Sequence, residues 1–244
     1  MAAGKRTGRK SQQQNDFLEP KAPINVSATD VGTNRAFNDG AATVTFALPG
    51  DSPAATSYTV TATASGQTTR TATGSSSPIT VTGLASAIQY SITVTASNAS
   101  GSSPASSAAT VTATTVPATM SAPTAQAQTN QDYVTWTAPS NGGKTISLYR
   151  WTSSDGKTGT TTNTYVTVSQ EANTSQTYQV RAENANGNGV YSPSSNSVTT
   201  QAPFFPPFFP FFPGFGPFFP PGFGPFFPPG FGPFFPPWFL GWLE

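Results

Sequence analysis

Across residues 23–201 the chain consists of short runs in which apolar side chains alternate strictly with Thr or Ser. Clear examples are residues 42–46, 58–62, 79–81 and 90–96, and Gly, Pro, Asn and Asp punctuate the runs. A period of two places apolar groups on one face and hydroxyls on the other, as in half-buried antiparallel strands. No stretch shows helical spacing, and β-branched Thr and Val disfavour helix. The pattern therefore predicts an all-β sandwich architecture.

The alternating pattern occurs twice. VTFALP at residues 44–49 returns as VTWTAP at 134–139, and ITVTASNASG at 92–101 returns as YQVRAENANG at 178–187. Each copy spans about 90 residues, the size of a seven-stranded sandwich. Residues 114–123, which contain Pro117 and Pro123, form the predicted linker. The predicted organisation is a basic arm, two sandwiches and a tail: residues 1–21, 22–115, 120–201 and 202–244.

The inward positions of the strands predict a separate core for each sandwich. The expected core residues of the first are Val44, Phe46, Tyr58, Val60, Leu84, Tyr90, Ile92 and Val94. Those of the second are Val134, Trp136, Ile146, Tyr149, Trp151, Val180 and Ala182.

Residues 202–244 have a different composition from the rest of the chain. They hold 16 of the 19 Phe residues, and Glu244 is their only charged residue. The octapeptide GFGPFFPP at 214–221 repeats without change at 222–229 and 230–237. Because proline recurs every few residues, the segment cannot form the helix that a single membrane span requires. Paired prolines favour polyproline II and the Pro-Gly steps favour type II turns, so we expect an extended rod broken by turns.

The apolar tail is interpreted as an assembly element. Ordering one isolated tail costs at least as much free energy as burying its phenylalanines returns, whereas an exposed apolar strip of this length would aggregate. Tails packed together, or one tail in a partner's groove, bury more surface per ordered residue. Low-complexity disorder is the alternative, although disordered segments are normally poor in aromatic residues. The candidate interface residues are Phe204, Phe205, Phe208, Phe209, Phe218, Phe219, Phe226, Phe227, Phe234, Phe235, Trp238 and Trp242.

Composition and charge exclude most enzyme classes. The chain has no His and no Cys, which removes the commonest general base, the thiol nucleophile and the strongest transition-metal ligands. The ten acidic residues are scattered and are interpreted as turn formers, as in the pair Asp155-Gly156. We therefore expect no catalysis, no cofactor and no metal.

The net charge of +1 gives no field for nucleic acid, so nucleic-acid binding is not expected. Lys5, Arg6, Arg9 and Lys10 are interpreted as a solvated, disordered arm, with contact to nucleic acid or an acidic protein as the alternative. No apolar core follows these basic residues, so a secretory signal is not expected.

Both repeats resemble fibronectin type III domains, over about 180 of the 244 residues. The first carries GL at 83–84 and Y-x-I-x-V-x-A-x-N-x-x-G at 90–101, similar to the family's corner tyrosine, next strand and following turn. The second carries Trp136 and PSNGGxxIxxY at 139–149, similar to the family's core tryptophan and a turn common in its bacterial and phage members. The sequence departs from the family at Phe46, where Trp is usual, and at Gln176, where the corner tyrosine is expected.

Tandem domains of this kind with a Phe-Pro-Gly tail resemble virion proteins of tailed bacteriophages, particularly marine ones. The resemblance implies a capsid- or tail-attached fibre or decoration, made in the host cytoplasm and released by lysis. The implied partners are further copies of the chain, in a trimer like that of many viral fibres, other virion proteins and, through weak contacts, host-surface glycans. A bacterial surface adhesin or an accessory module of a secreted polysaccharide-acting enzyme is the alternative. A scaffold for proline-recognising domains would need a polar, charged flank that the tail lacks.

Overall fold

The computed structural model describes residues 18–203, and this part of the chain contains seventeen β-strands and no helix. The all-β prediction is therefore confirmed. The first eight strands form one sandwich: β1 Ile24–Asp30, β2 Gly40–Ala47, β3 Ser57–Thr63, β4 Arg70–Gly74, β5 Ile79–Leu84, β6 Ile88–Asn98, β7 Gly101–Ser102 and β8 Ala109–Ala113. The remaining nine form a second: β9 Thr124–Gln128, β10 Gln131–Thr135, β11 Ile146–Ser153, β12 Thr158–Thr161, β13 Tyr165–Ser169, β14 Ser175–Gln176, β15 Tyr178–Asn184, β16 Gly187–Asn188 and β17 Val198–Thr199.

The two sandwiches share one topology. In the first, β1, β2 and β5 form one antiparallel sheet, and β4, β3 and β6 form the other, with β7 and β8 both paired to β6. In the second, β9, β10 and β13 form the three-stranded sheet, and β12, β11, β15 and β16 form the facing sheet. A short additional pair joins β14 to β17. The sequence repeat thus corresponds to a repeated pair of sheets.

Each sandwich has its own hydrophobic core between its sheets. Most predicted core residues are buried, including Val44, Tyr90, Val134 and Trp136. Four are only half-buried and pack at the margin of a core: Phe46, Tyr58, Ile146 and Trp151. Period-two alternation fixes which face a residue takes, but not how close to the end of the sandwich it lies.

An aromatic pair recurs at equivalent places in the two cores. In the first sandwich the rings of Phe46 and Tyr58 lie 4.8 Å apart between centroids. In the second, Trp136 packs edge-on against Tyr149 at 5.6 Å. Phe46 therefore occupies the place of Trp136 and makes the same kind of contact with a tyrosine of the next strand.

The tyrosine of the sixth strand differs between the repeats. In the first sandwich the Tyr90 hydroxyl accepts a hydrogen bond from the backbone N–H of Ala85 at 2.9 Å, which is the arrangement of a corner tyrosine. In the second, Gln176 at the equivalent position accepts a bond from the Ser154 hydroxyl at 2.6 Å. A buried tyrosine stands two residues later, at Tyr178. A shift of two residues keeps the ring on the same face of the strand.

Candidate interaction surfaces

The predicted assembly residues, from Phe204 to Trp242, lie outside the described residues. Of the predicted basic arm, residues 18–21 are described, and they lie against the first sandwich. The backbone N–H of Lys21 donates to the Ser52 hydroxyl at 2.9 Å, and its ammonium pairs with Asp51. This ammonium lowers the pKa of the Asp51 carboxyl. The end of the arm is thus held to the domain by specific contacts.

The acidic side chains do not converge on a chemical centre. Within residues 18–203 no group of three or more carboxylates is close enough together to hold a metal ion. No helix in this part of the chain is long and apolar enough to cross a membrane. Asp155 does form the predicted turn, in which the Gly156 N–H donates to the Ser153 carbonyl at 3.0 Å. Burial alone would raise the pKa of Asp155, but hydrogen bonds from Ser153 and Lys157 bring it below its usual value.

The interpretation of every acid as a turn former is wrong for Asp132, which lies fully buried in β10. One of its carboxylate oxygens accepts a hydrogen bond from the Tyr178 hydroxyl at 2.6 Å, and the other accepts one from Thr200 at 2.9 Å. Gln170 donates in turn to the Tyr178 oxygen at 3.0 Å. Burial, and then the hydrogen bond to Asp132, raise the pKa of Tyr178 well above its usual value. With its donors satisfied inside the core, this cluster stabilises the fold.

Asp30 is a second acid with a structural role, at the junction between the sandwiches. It ends β1 and accepts two hydrogen bonds from Thr114, one from the backbone N–H at 2.9 Å and one from the hydroxyl. The Thr114 oxygen also accepts a bond from the Asn186 side chain, in the second sandwich, at 2.8 Å. A chain of hydrogen bonds therefore runs from one sandwich to the other through a single hydroxyl.

Further bonds at the junction join the backbones of the two sandwiches. The N–H of Asn34, from the loop after β1, donates to the Asn186 carbonyl at 2.7 Å. The N–H of Val116 donates to the Arg35 carbonyl at 3.0 Å, while the N–H of Thr115 donates to Gly142 at 2.8 Å. The segment predicted as a linker is buried over its first four residues, 114–117. It forms a packed junction and is not a free tether.

Two glycines allow the backbone segments at the junction to approach this closely. A side-chain carbon at Gly142 would lie 2.5 Å from the carbonyl oxygens of both Thr115 and Val116, and the residue has a φ of +68°. At Gly32 the same atom would lie 2.4 Å from the Thr114 hydroxyl oxygen. Any larger residue at either position would push the sandwiches apart or strain the backbone. The sequence repeat revealed neither role, because these contacts join distant loops.

The outer sheet faces of the first sandwich are almost entirely hydroxyl-bearing. Cross-strand partners share a face, so the pairing register places threonines of neighbouring strands side by side. On one sheet the two rows are Thr73, Thr59 and Thr95, and Thr71, Thr61 and Thr93. On the other, the hydroxyls of Thr43 and Thr80 lie 3.2 Å apart. These faces offer hydrogen-bond donors and acceptors without a net field.

The first sandwich matches the model of the fibronectin type III domain over residues 21–112. A crystal structure of the FN1-FN3 domains of chicken CNTN1 is similar at 20% sequence identity and a TM-score of 0.34. That alignment covers 74% of this chain and 66% of the other, so the chain spans just under two thirds of that structure's length. None of the curated proteins matches the chain.

The family match, the paired sheets and the bonded corner tyrosine agree. Fibronectin type III domains are general modules of structural and adhesive proteins. Residues 21–112 form a fibronectin type III domain, in an all-β chain whose second sandwich repeats its sheet topology.

Proposed function

We propose that this chain is a non-enzymatic structural protein of a phage particle, a capsid- or tail-attached fibre or decoration. In this proposal its two sandwiches are displayed as one stiff unit, while residues 202–244 associate with other copies and with other virion proteins. The observation that carries the proposal is the hydrogen-bonded junction. Asp30, Thr114 and Asn186 connect the sandwiches directly across buried surface.

Such a junction suits a projecting spacer. Domains joined by a free linker move independently, which is the default where few contacts cross the boundary. Here, bending would break buried hydrogen bonds whose polar groups would be left without partners. A stiff pair of domains holds its outer end at a fixed distance from the particle.

The hydroxyl-rich faces suit weak contact with host-surface glycans. Sugars are recognised through many hydrogen bonds, and the rows of threonine on the first sandwich provide hydrogen-bond donors and acceptors. Because the hydroxyls are uncharged, they repel neither anionic nor cationic glycans. Glycoside hydrolysis normally requires two carboxyl groups beside the bond that breaks, and the threonine rows contain none. Fibronectin type III domains are also typically non-catalytic modules.

The tail provides the association in this proposal. Its octapeptide recurs without change over three copies, so spacing repeats every eight residues, as expected of a surface that meets identical or repeating partners. A trimer would place three such strips side by side.

The test is immunogold electron microscopy with antibodies raised against the whole protein. Gold is expected on purified particles and absent from the envelope of uninfected cells. Gold on the uninfected cell surface would overturn the proposal in favour of the bacterial adhesin. Recovery of the protein from culture medium in complex with a polysaccharide-degrading enzyme would favour the accessory-module alternative.

A further inference from the structure

A cleft of about 510 Å³ opens between the edge strands β12 and β13 of the second sandwich. This volume lies within the range of about 300–1,000 Å³ found for small-molecule sites. Six of the eight lining residues carry polar groups, but most of the surface that they present to the cleft is apolar: Trp151, Lys157, Thr158, Thr167, Val168, Ser169, Gln170 and Glu171.

Trp151 provides the aromatic surface of the cleft. It lies in β11, directly opposite Gly159 of β12. A side-chain carbon at Gly159 would lie 2.6 to 2.8 Å from three atoms of the indole, so the ring fills the space that the glycine leaves empty. The half-buried indole is thus held in place by its neighbouring strand and presents surface to the cleft.

Lys157 ties the two sides of the cleft together. Its ammonium donates to the Ser169 carbonyl at 2.7 Å and to the Gln170 side-chain oxygen at 2.5 Å. Gln170 is itself fixed by its bond to Tyr178. The cleft is therefore shaped before any ligand binds, which lowers the entropic cost of binding.

The polar lining has balanced charge. Lys157 is the one cation and Glu171 the one anion among the lining residues, and the ammonium is already hydrogen-bonded. Thr158, Thr167 and Ser169 add hydroxyls, which both donate and accept hydrogen bonds. A charged ligand would gain little here, whereas a ligand with several hydroxyls would find matching groups.

We propose that this cleft binds a neutral pyranose sugar, with the apolar C–H face of the ring packed on Trp151 and its hydroxyls bonded to the polar lining. A pyranose fits this combination because one face is apolar and its edge is polar, as the cleft requires. An apolar peptide side chain could pack on the indole but would make no use of the hydroxyls of Thr158, Thr167 and Ser169. The inference rests on the proposed glycan contact and adds to the threonine rows of the first sandwich a site in the second, with a stated ligand class.

The experiment is saturation-transfer NMR on the full chain with methyl glycosides of glucose, galactose and mannose and their linear tetrasaccharides. At least one neutral sugar should bind in the millimolar range and shift the indole N–H resonance of Trp151. Trp151→Leu keeps an apolar side chain in the cleft but removes the aromatic ring. It should weaken sugar binding about tenfold or more, which is a loss of about 1.4 kcal/mol in binding free energy. Tyr165→Leu is the matched control, because Tyr165 is exposed on β13 but does not line the cleft. The sugar affinity of this variant should stay within about twofold of that of the parent protein.

Several results would overturn the proposal. One is the absence of saturation transfer to any neutral sugar, and another is a bound sugar that leaves the Trp151 resonance unmoved. The third is tighter binding of a charged sugar, glucuronic acid or glucosamine, when these are measured alongside the neutral ones. The Trp151 resonance is measured on the parent protein, so the test survives if Trp151→Leu fails to fold. Because the measurement needs no particle, its failure is distinguishable from failure of the immunogold test.

Discussion

Asn98 and Asn184 occupy the same place in the two repeats, and each binds the segment that leads into its own sandwich. The Asn98 amide donates to the Leu18 carbonyl at 2.8 Å, and the Asn184 amide donates to the Thr115 carbonyl at 2.9 Å. Each side-chain oxygen accepts a backbone N–H two residues later, from Ser100 and Asn186 respectively. One asparagine thus fixes a turn and holds the incoming chain.

Asn184→Ala should lower the free energy of unfolding by about 1–3 kcal/mol, because it removes the side-chain donor to the Asn141 carbonyl and one of the two side-chain donors to the buried Thr115 carbonyl. Asn98→Ala is the matched control and should cost less, since Asn98 is only half-buried and water can replace it. Urea denaturation followed by circular dichroism measures both. Equal losses would contradict the assigned role of burial.

Gly142→Ala should destabilise the junction by more than the backbone strain alone. Gly66 has a φ of +71°, similar to that of Gly142, but no atom within 4 Å of an added side-chain carbon. Gly66→Ala should therefore cost about 1–2 kcal/mol from the left-handed backbone only. Gly142→Ala adds the clash with Thr115 and Val116 and should broaden the distance distribution in small-angle X-ray scattering. Unchanged scattering would show that the junction does not depend on this approach.

The protein should lose stability as pH rises above about 10. Burial and the bond to Asp132 raise the pKa of Tyr178 from its usual value of 10.0, so the fold keeps the phenol neutral. The unfolded chain releases the proton first, and stability present below pH 10 therefore falls as pH increases. Thermal unfolding between pH 8 and 11 measures this decline.

Tyr178→Phe should flatten that decline while lowering stability at pH 8. Burial also raises the pKa of Tyr149, so the stability of the Tyr178→Phe variant should still depend somewhat on pH. Tyr165→Phe, at an exposed position, should keep the parent's pH profile. A Tyr178→Phe profile as steep as the parent's would rule out this hydroxyl as the source.

Trp136→Ala should cost about 3–5 kcal/mol, enough to unfold the second sandwich, because it removes a buried indole packed on Tyr149. Trp136→Phe should cost much less. It places at 136 the residue found at the equivalent Phe46, and the lost indole N–H has no hydrogen-bond partner within residues 18–203. Denaturation curves of the two variants should differ accordingly, and equal losses would contradict the packing argument.

The tail is tested by replacing Phe218, Phe219, Phe226, Phe227, Phe234 and Phe235 with Ser, which keeps every proline and glycine. If burial of phenylalanine drives association, this variant should sediment as a monomer and be absent from particles, with its sandwiches folded. Replacing the basic residues Lys5, Arg6, Arg9 and Lys10 with Ser should leave association unchanged. Association of the Phe variant at the parent's level would assign assembly to chain stiffness or to the basic arm.

Much of the fold could be predicted because strand phase is a local property. Val60 and Val94 alternate with threonines in their own strands, and the structure pairs them directly across β3 and β6. The candidate surfaces were less predictable. Trp151 was expected in the core from its phase, yet it lies half-buried beside a cleft, since its exposure depends on Gly159 in another strand.

Two copies of a β-sandwich and an apolar repeat could be predicted from the chain alone, because alternation and repetition can be read from neighbouring residues. The partners of the polar side chains became visible only in the folded molecule. Asp30 meets Thr114 across 84 positions of sequence, and Tyr178 meets Asp132 across 46. Such bonds depend on how loops and sheets are brought together in space, and a pattern with a period of two carries no information about that arrangement.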